Sequence, residues 1–331
     1  MNIREALGRL FYIIPEYPHQ AQIEITNRCN LNCAMCPRDY FKVPKEDMPF
    51  DMFKKIIKRL ENVTLLTLTG WGEPLIHPHI FEMITYGKGK GYKVKLTTNG
   101  VLLNADFRHR VLTSGLDEIT ISLESVQGIS DKGHTNPEVL ASVKDLVRER
   151  KGELPSITLQ TTLHKGRAQD IYEVVRFGRE AGVERINLGR LDVRYSSELE
   201  RPSVQEEKAL LEEADRLGKE LGIRVDSIQY ALFNGIERTA YKFLKPSLHR
   251  FGSYCLKLYD YIYINQQAEV TPCCGMPHYR VGNLLKEELG TIWKGKDFHY
   301  FREHHHQLCG SCDLWRIAYG GHNPMIAHGK E

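Results

Sequence analysis

The sequence predicts an α/β fold built on a parallel sheet, followed by a small cysteine-rich C-terminal module. Three observations carry this reading. β-like and helix-like segments alternate from about residue 20 to 200. Polar and unusual residues collect at the C-terminal ends of the strand-like segments. After about residue 225 the rhythm changes, and the stretch 255–315 holds five of the eight cysteines. Strands that alternate with helices imply right-handed crossovers and parallel pairing, and such folds build their active sites at the C-terminal edge of the strands. An open doubly wound sheet and a curved, partial barrel both satisfy the pattern.

The elements follow in order. Residues 1–20 read as an extension in which Ile3, Leu7, Leu10 and Phe11 share one helical face. Its apolar run is broken by Arg9 and no small-residue cleavage site follows, so it is not a signal peptide. "QIEIT" (22–26) is the first strand, and "FDMFKKIIKRLEN" is an amphipathic helix with Asp51 as a candidate N-cap. "VTLLTLTG" (63–70), "KVKLTTNG" (93–100), "EITISLES" (118–125), "SITLQTTL" (156–163) and "RINLGRLDV" (185–193) continue the strands. Helical patterns cover 137–150 and 170–182, and a charged amphipathic segment over 199–222 leads out of the repeating region. The expected division is therefore 1–20, 21–225 and 226–331.

Composition narrows the functional classes. At 331 residues, 41% hydrophobic and 26% charged, the chain has ample material for a soluble core. A net charge of +3 with no basic tract points away from nucleic acid, and no stretch approaches a membrane span. A cytoplasmic location is expected, where thiols stay reduced and cysteines serve as metal ligands or catalytic groups rather than disulfides.

The cysteines of "TNRCNLNCAMC" are spaced Cys29-x3-Cys33-x2-Cys36. Structural zinc takes four N or S ligands, so three thiolates on one loop leave it one short. An iron–sulfur cube fits better, because three irons can be held by cysteine while the fourth stays open. This motif after a first strand, with "GWGEP" (70–74) after the second, resembles the radical S-adenosylmethionine (SAM) superfamily. The resemblance implies a partial (β/α)6 barrel and a [4Fe–4S] cluster on Cys29, Cys33 and Cys36 whose open iron binds SAM. It also implies reductive cleavage of SAM to a 5′-deoxyadenosyl radical that abstracts a substrate hydrogen. By the same resemblance Gly72 and Glu73 of "GWGEP" meet the methionine amino group, with Trp71 in place of the usual glycine. Asn99 of "TTNG" approaches SAM, Ser122 and Glu124 of "ISLES" lie near the ribose or methionine, and Met35 lies beside the adenine. Arg190 and Arg194, at and beyond the sixth strand, are candidates to face SAM or substrate.

Cys255, Cys273, Cys309 and Cys312 offer a second set of four thiolates, suited to structural zinc or to a second [4Fe–4S] cluster. Placed after the barrel, the set resembles the SPASM/twitch auxiliary-cluster domains, and its size favours the one-cluster twitch form. Cys274 then has no required ligand role; an alternative ligand, a buried spectator and a thiol that returns a hydrogen atom to a substrate radical all stay open. His304, His305 and His306 read as a solvated loop. Two reactions follow from these parts: substrate oxidation with the auxiliary cluster as electron acceptor, or redox-neutral epimerisation through Cys274. A non-catalytic iron–sulfur or zinc protein is the remote alternative. The expected partners are a small-molecule or peptide substrate and a reductant such as flavodoxin or ferredoxin.

Overall fold

In a computed structural model of the chain, residues 13–127, 137–192, 194, 199–227, 255, 257–309 and 312 are described. The helix expected over residues 3–11 lies outside them. The chain runs β1 (Gln20–Ile23), α1 (Arg38–Phe41), α2 (Phe50–Ile57), β2 (Leu65–Leu68), α3 (Ile80–Gly89), β3 (Lys93–Thr98) and α4 (Ala105–Thr113). It continues through β4 (Glu118–Ser122), α5 (Pro137–Glu149), β5 (Ser156–Leu163), α6 (Ala168–Ala181), β6 (Arg185–Arg190), α7 (Val204–Leu221) and β7 (Arg224–Ser227). The C-terminal part adds α8 (Lys257–Asp260), β8 (Tyr261–Ile264), β9 (Glu269–Thr271), β10 (Gly282–Asn283), α9 (Leu289–Lys294) and α10 (Lys296–Leu308).

Strand order decides between the two architectures left open above. The sheet reads β10-β9-β8-β1-β2-β3-β4-β5-β6-β7, with β1 to β7 parallel and strictly sequential. A doubly wound sheet reverses its order at a switch point, and none occurs here. Sequential winding keeps every crossover on one side, which is the partial-barrel arrangement. One face of each strand is apolar and buried, as with Ile23, Leu66, Leu68, Val94, Leu96, Ile119, Leu159 and Ile186. The alternate residues Gln22, Thr67, Lys95, Gln160 and Asn187 are half-buried and polar, and several bond across the strands, such as Asn187 Nδ2 to Gln160 Oε1 at 3.0 Å.

Three expectations shift. The first strand begins at Gln20 rather than Gln22 and ends before Glu24, whose N–H still bonds Ile264 O at 2.9 Å. Helix α2 starts at Phe50 behind Pro49, so Asp51 is not its N-cap but sits inside the first turn, 2.5 Å from Lys54 Nζ. Strand β7 was not expected, because Arg224 and Asp226 give it a charged edge with little apolar signal. Helix α7 carries the sharpest terminus: Ser203 and Glu206 form a reciprocal capping box, and Gly222 closes it at φ 68.

The C-terminal module does not stand apart from the barrel sheet. Fully buried β8, "YIYI", pairs in parallel with β1 over Gln20–Ile23, and β9 and β10 then add antiparallel strands. Among the described residues no helix is long and apolar enough to cross a membrane.

Candidate active site

The loop after β1 carries Cys29, Cys33 and Cys36, all half-buried. A turn draws the last two together, with Cys36 N–H donating to Cys33 O at 2.9 Å. Burial raises the Cys36 thiol, Arg38 lowers it through its backbone N–H and its charge, and Cys29 raises it again. Asn99, just past β3, reaches this loop: its Nδ2 donates to Asn30 Oδ1 at 2.8 Å and lies 3.9 Å from Cys29 Sγ.

The "GWGEP" turn presses against the same loop. A Cβ on Gly72 would lie 2.5 Å from the carbonyl oxygens of Thr26 and Arg28, so only glycine fits there. Glu73 N–H donates to Arg28 O at 2.8 Å. The Glu73 carboxylate is buried and occupied: Oε1 accepts from Leu75 N–H at 3.0 Å and Thr98 Oγ1 at 2.7 Å, and Oε2 from Asn99 N–H at 2.7 Å. Burial raises its pKa and these three donors oppose the rise. Glu73 thus fastens the second strand end to the third, which fixes where Gly72 and Asn99 stand.

The remaining expected SAM contacts fall into two groups. Ser122 closes β4, and Met35 sits half-buried between the second and third cysteines. Glu124 and Arg190 have protein partners. Glu124 accepts from Thr162 N–H at 2.9 Å and Thr162 Oγ1 at 3.3 Å, with His164 Nε2 at 3.7 Å. Arg190 Nε donates to fully buried Glu207 at 2.9 Å, and Arg194 grips Asp192 at 2.6 Å.

The second cysteine set converges. Burial raises the Cys255 thiol to about 11, with Cys312 adding to the rise, and raises Cys309 to about 12 with Cys312 and Cys255 adding. Cys273 is pushed well above the usual thiol range by burial and then by Cys274, Cys312, Cys255 and Cys309. Cys312 acts on Cys255, Cys273 and Cys309, and Cys255 acts on Cys273 and Cys309, so these thiols lie near one another, and a bound cation would reverse their preference for the protonated state. Among the described residues no three His, Cys, Asp or Glu side chains are placed around a single ion.

Cys274 acts on Cys273 but is itself acted on by other groups. Burial raises its thiol most, and the charges that act on it are Lys257, Glu24, Arg194 and Asp192. Its carbonyl accepts from Trp71 Nε1 at 3.1 Å. Glu24, 4% exposed, accepts from Trp71 N–H at 2.7 Å and sits beside Tyr263 and Gln266. The sequence reading missed Glu24 because its neighbours come from β8, with Tyr261 Oη bonding the adjacent Gln22 at 2.7 Å across 239 residues. The histidine triplet is corrected: it lies on α10, not on a loop, with His305 buried against Arg302 O at 2.7 Å and His304 stacked on Tyr300.

Fold and comparison agree on the class. Residues 23–184 match the family model of the radical SAM superfamily, and residues 255–313 match the SPASM iron–sulfur cluster-binding domain. The chain is therefore a radical SAM enzyme with a C-terminal SPASM domain, requiring a [4Fe–4S] cluster, SAM and additional iron–sulfur ligation. It is 24% identical to the tungsten-containing aldehyde ferredoxin oxidoreductase cofactor-modifying protein of Pyrococcus furiosus, over 88% of this chain and 86% of that protein. Identity to the AdoMet-dependent heme synthase of Methanosarcina barkeri is 25%, over 90% and 89% of the two chains. In fold it resembles Streptococcus suis SuiB, solved with its precursor peptide SuiA, at TM-score 0.69 and 18% identity over 97% of this chain and 75% of that one.

Proposed function

We propose that the chain oxidises its substrate by two electrons in two one-electron steps, the first at the SAM site and the second at the auxiliary site. What supports this is the match of residues 255–313 to the SPASM iron–sulfur cluster-binding domain, together with the nearness of Cys255, Cys273, Cys309 and Cys312 to one another. The bound groups would supply a deoxyadenosyl radical at the first site and a one-electron acceptor at the second.

The protein's own part is placement. Cys29, Cys33 and Cys36 hold the first cluster, and Cys255, Cys273, Cys309 and Cys312 the second. Gly72 lets the turn approach the cluster loop, Glu73 locks that turn to Asn99, and Ser122, Glu124, Met35 and Arg190 line the expected path of SAM. On this reading residues 21–225 form the SAM unit and residues 226–331 the auxiliary unit, with a flavodoxin- or ferredoxin-type donor supplying the initiating electron.

For substrate we favour a cofactor precursor or a peptide. Two relatives matched over most of both chains are named for a cofactor-modifying protein and a heme synthase, two others matched over 92% of this chain are PqqA peptide cyclases, and the matched SuiB structure holds a precursor peptide. The test begins with SAM alone: dithionite-reduced enzyme forms 5′-deoxyadenosine, and Cys33→Ala abolishes it while the C-terminal site keeps its metal. Cleavage retained by Cys33→Ala sinks the assignment. Incubation with candidate cofactor precursors and peptides is expected to give a product lighter by two hydrogens.

The position of Cys274 favours a second reading, redox-neutral epimerisation. Lys257, Glu24, Arg194 and Asp192 are near enough to act on its thiol, and its carbonyl accepts from the tryptophan of the SAM turn. That reaction leaves product mass unchanged in H2O, incorporates one solvent deuterium in D2O, and stops in Cys274→Ala.

A further inference from the structure

We propose that Trp71 is a positioning residue that couples the SAM turn to the auxiliary ligand loop, so that filling the first site is felt at the second. The inference rests on the reading of residues 70–74 as the SAM turn. In the motif that this turn resembles, the position of Trp71 is a glycine, which could supply neither an indole donor nor a ring.

The turn is held so that its movement must pass through the indole. Trp71 N–H is bonded to buried Glu24 at 2.7 Å. A Cβ on Gly70 would lie 2.2 Å from Glu24 Cγ, and one on Gly72 would lie 2.5 Å from two backbone oxygens. Both flanks are therefore packed against the β1 end, and the side chain between them points across to the C-terminal module. There Trp71 Nε1–H donates to Cys274 O at 3.1 Å.

On the receiving side the loop is short and stapled. Thr271 Oγ1 and Met276 N–H each donate to Cys273 O at 3.1 Å, so residues 271–276 form one braced turn that holds Cys273 and Cys274 together. A second contact runs in parallel. The Trp71 ring lies 5.7 Å from that of Phe41, in the helix following Cys36, and Phe41 O is bonded to His278 Nε2 at 3.0 Å. The cluster loop, the SAM turn and the auxiliary loop thus meet at one indole. Orientation of a cysteine ligand and hydrogen bonding around it tune the potential of an iron–sulfur cluster.

The experiment is an EPR-monitored redox titration of the reconstituted holoenzyme, with and without SAM, in wild type and Trp71→Phe. Phenylalanine keeps a ring against Phe41 and removes only the indole donor. In wild type, SAM is expected to shift the reduced-to-oxidised ratio of the C-terminal cluster about tenfold at fixed potential, ~59 mV for one electron. In Trp71→Phe the shift should fall below threefold while SAM still perturbs the N-terminal cluster signal. A shift absent from wild type, or undiminished in Trp71→Phe, overturns the proposal. Should the variant fail to assemble both clusters, the wild-type titration decides, together with the rate at which a chelator strips the C-terminal iron, which SAM should slow several-fold. If SAM leaves the N-terminal cluster signal of wild type unmoved, the reading of residues 70–74 fails first and the coupling falls with it.

Discussion

Gly72 and Glu24 show how tightly single positions are fixed at the site, and each leads to a measurable consequence. At Gly72, any side chain must displace the Thr26–Arg28 backbone that leads into Cys29, because the obstacle is main chain rather than a flexible side chain. Gly72→Ala should cost about 1–3 kcal/mol by overpacking and abolish measurable SAM binding, while the C-terminal site retains its metal; unaltered SAM affinity by equilibrium dialysis would refute this. At Glu24 burial is the largest influence and raises the pKa, opposed by Trp71 N–H, Tyr263 and Gln266. A raised carboxyl adds stability that is complete below its ordinary value of 4.5 and is lost as pH climbs through the folded value. The wild-type Tm minus that of Glu24→Gln should therefore fall on going from pH 4.5 towards neutrality, and a flat difference would show that Glu24 is not held in this way. The sequence marks Gly72, Glu73, Asn99 and the first three cysteines because each closely follows a strand in one short span, and the structure brings Gly72, Glu73 and Asn99 against the cysteine loop. Glu24 was not, since one glutamate in a strand carries no mark of the tyrosines that bury it.

Strand pairing explains which elements could be read and which could not. β2 to β6 announced themselves as apolar or Thr-rich runs separated by amphipathic helices, and the structure places all five near the expected ranges. The pairing of β8 with β1 was illegible, because the two strands lie more than two hundred residues apart and nothing local in "YIYI" names its neighbour. The pairing means that the barrel and the C-terminal module share a sheet. Removing residues 255–331 should leave the β1 edge unpaired, with Gln22 stripped of its Tyr261 hydroxyl. The truncated chain is expected to be insoluble or to melt well below the full chain by circular dichroism; an equally stable soluble fragment would mean the units are independent. Helix ends were partly readable for a similar reason of locality. Ser203 with Glu206 forms a reciprocal box, and Ser203→Ala should cost about 1 kcal/mol in urea unfolding. The Asp51 reading failed because Pro49, whose ring presets φ, had already turned the chain into helix α2.

At the scale of the whole molecule the question is whether two metal centres work in series. The two cysteine sites lie in different parts of the chain, but the Trp71–Cys274, His278–Phe41 and Gln267–Glu46 contacts bring their loops together. Iron content separates the possible arrangements. After anaerobic reconstitution the wild type should hold about eight irons and the Cys29/Cys33/Cys36→Ala variant about four, as two [4Fe–4S] clusters require. The complementary variant, Cys309→Ala with Cys312→Ala, should also hold about four irons. It should still convert SAM to 5′-deoxyadenosine, because none of the residues assigned to SAM belongs to the C-terminal set. It should not release oxidised product, since the second electron would have no acceptor. Four irons and one zinc in the wild type, with zinc alone left in the first variant, would instead make the C-terminal site structural. Oxidation would then lose its electron acceptor, and the thiol of Cys274 would become the remaining group placed to quench a substrate radical. The metal count therefore decides whether oxidation has an electron acceptor before any substrate is known.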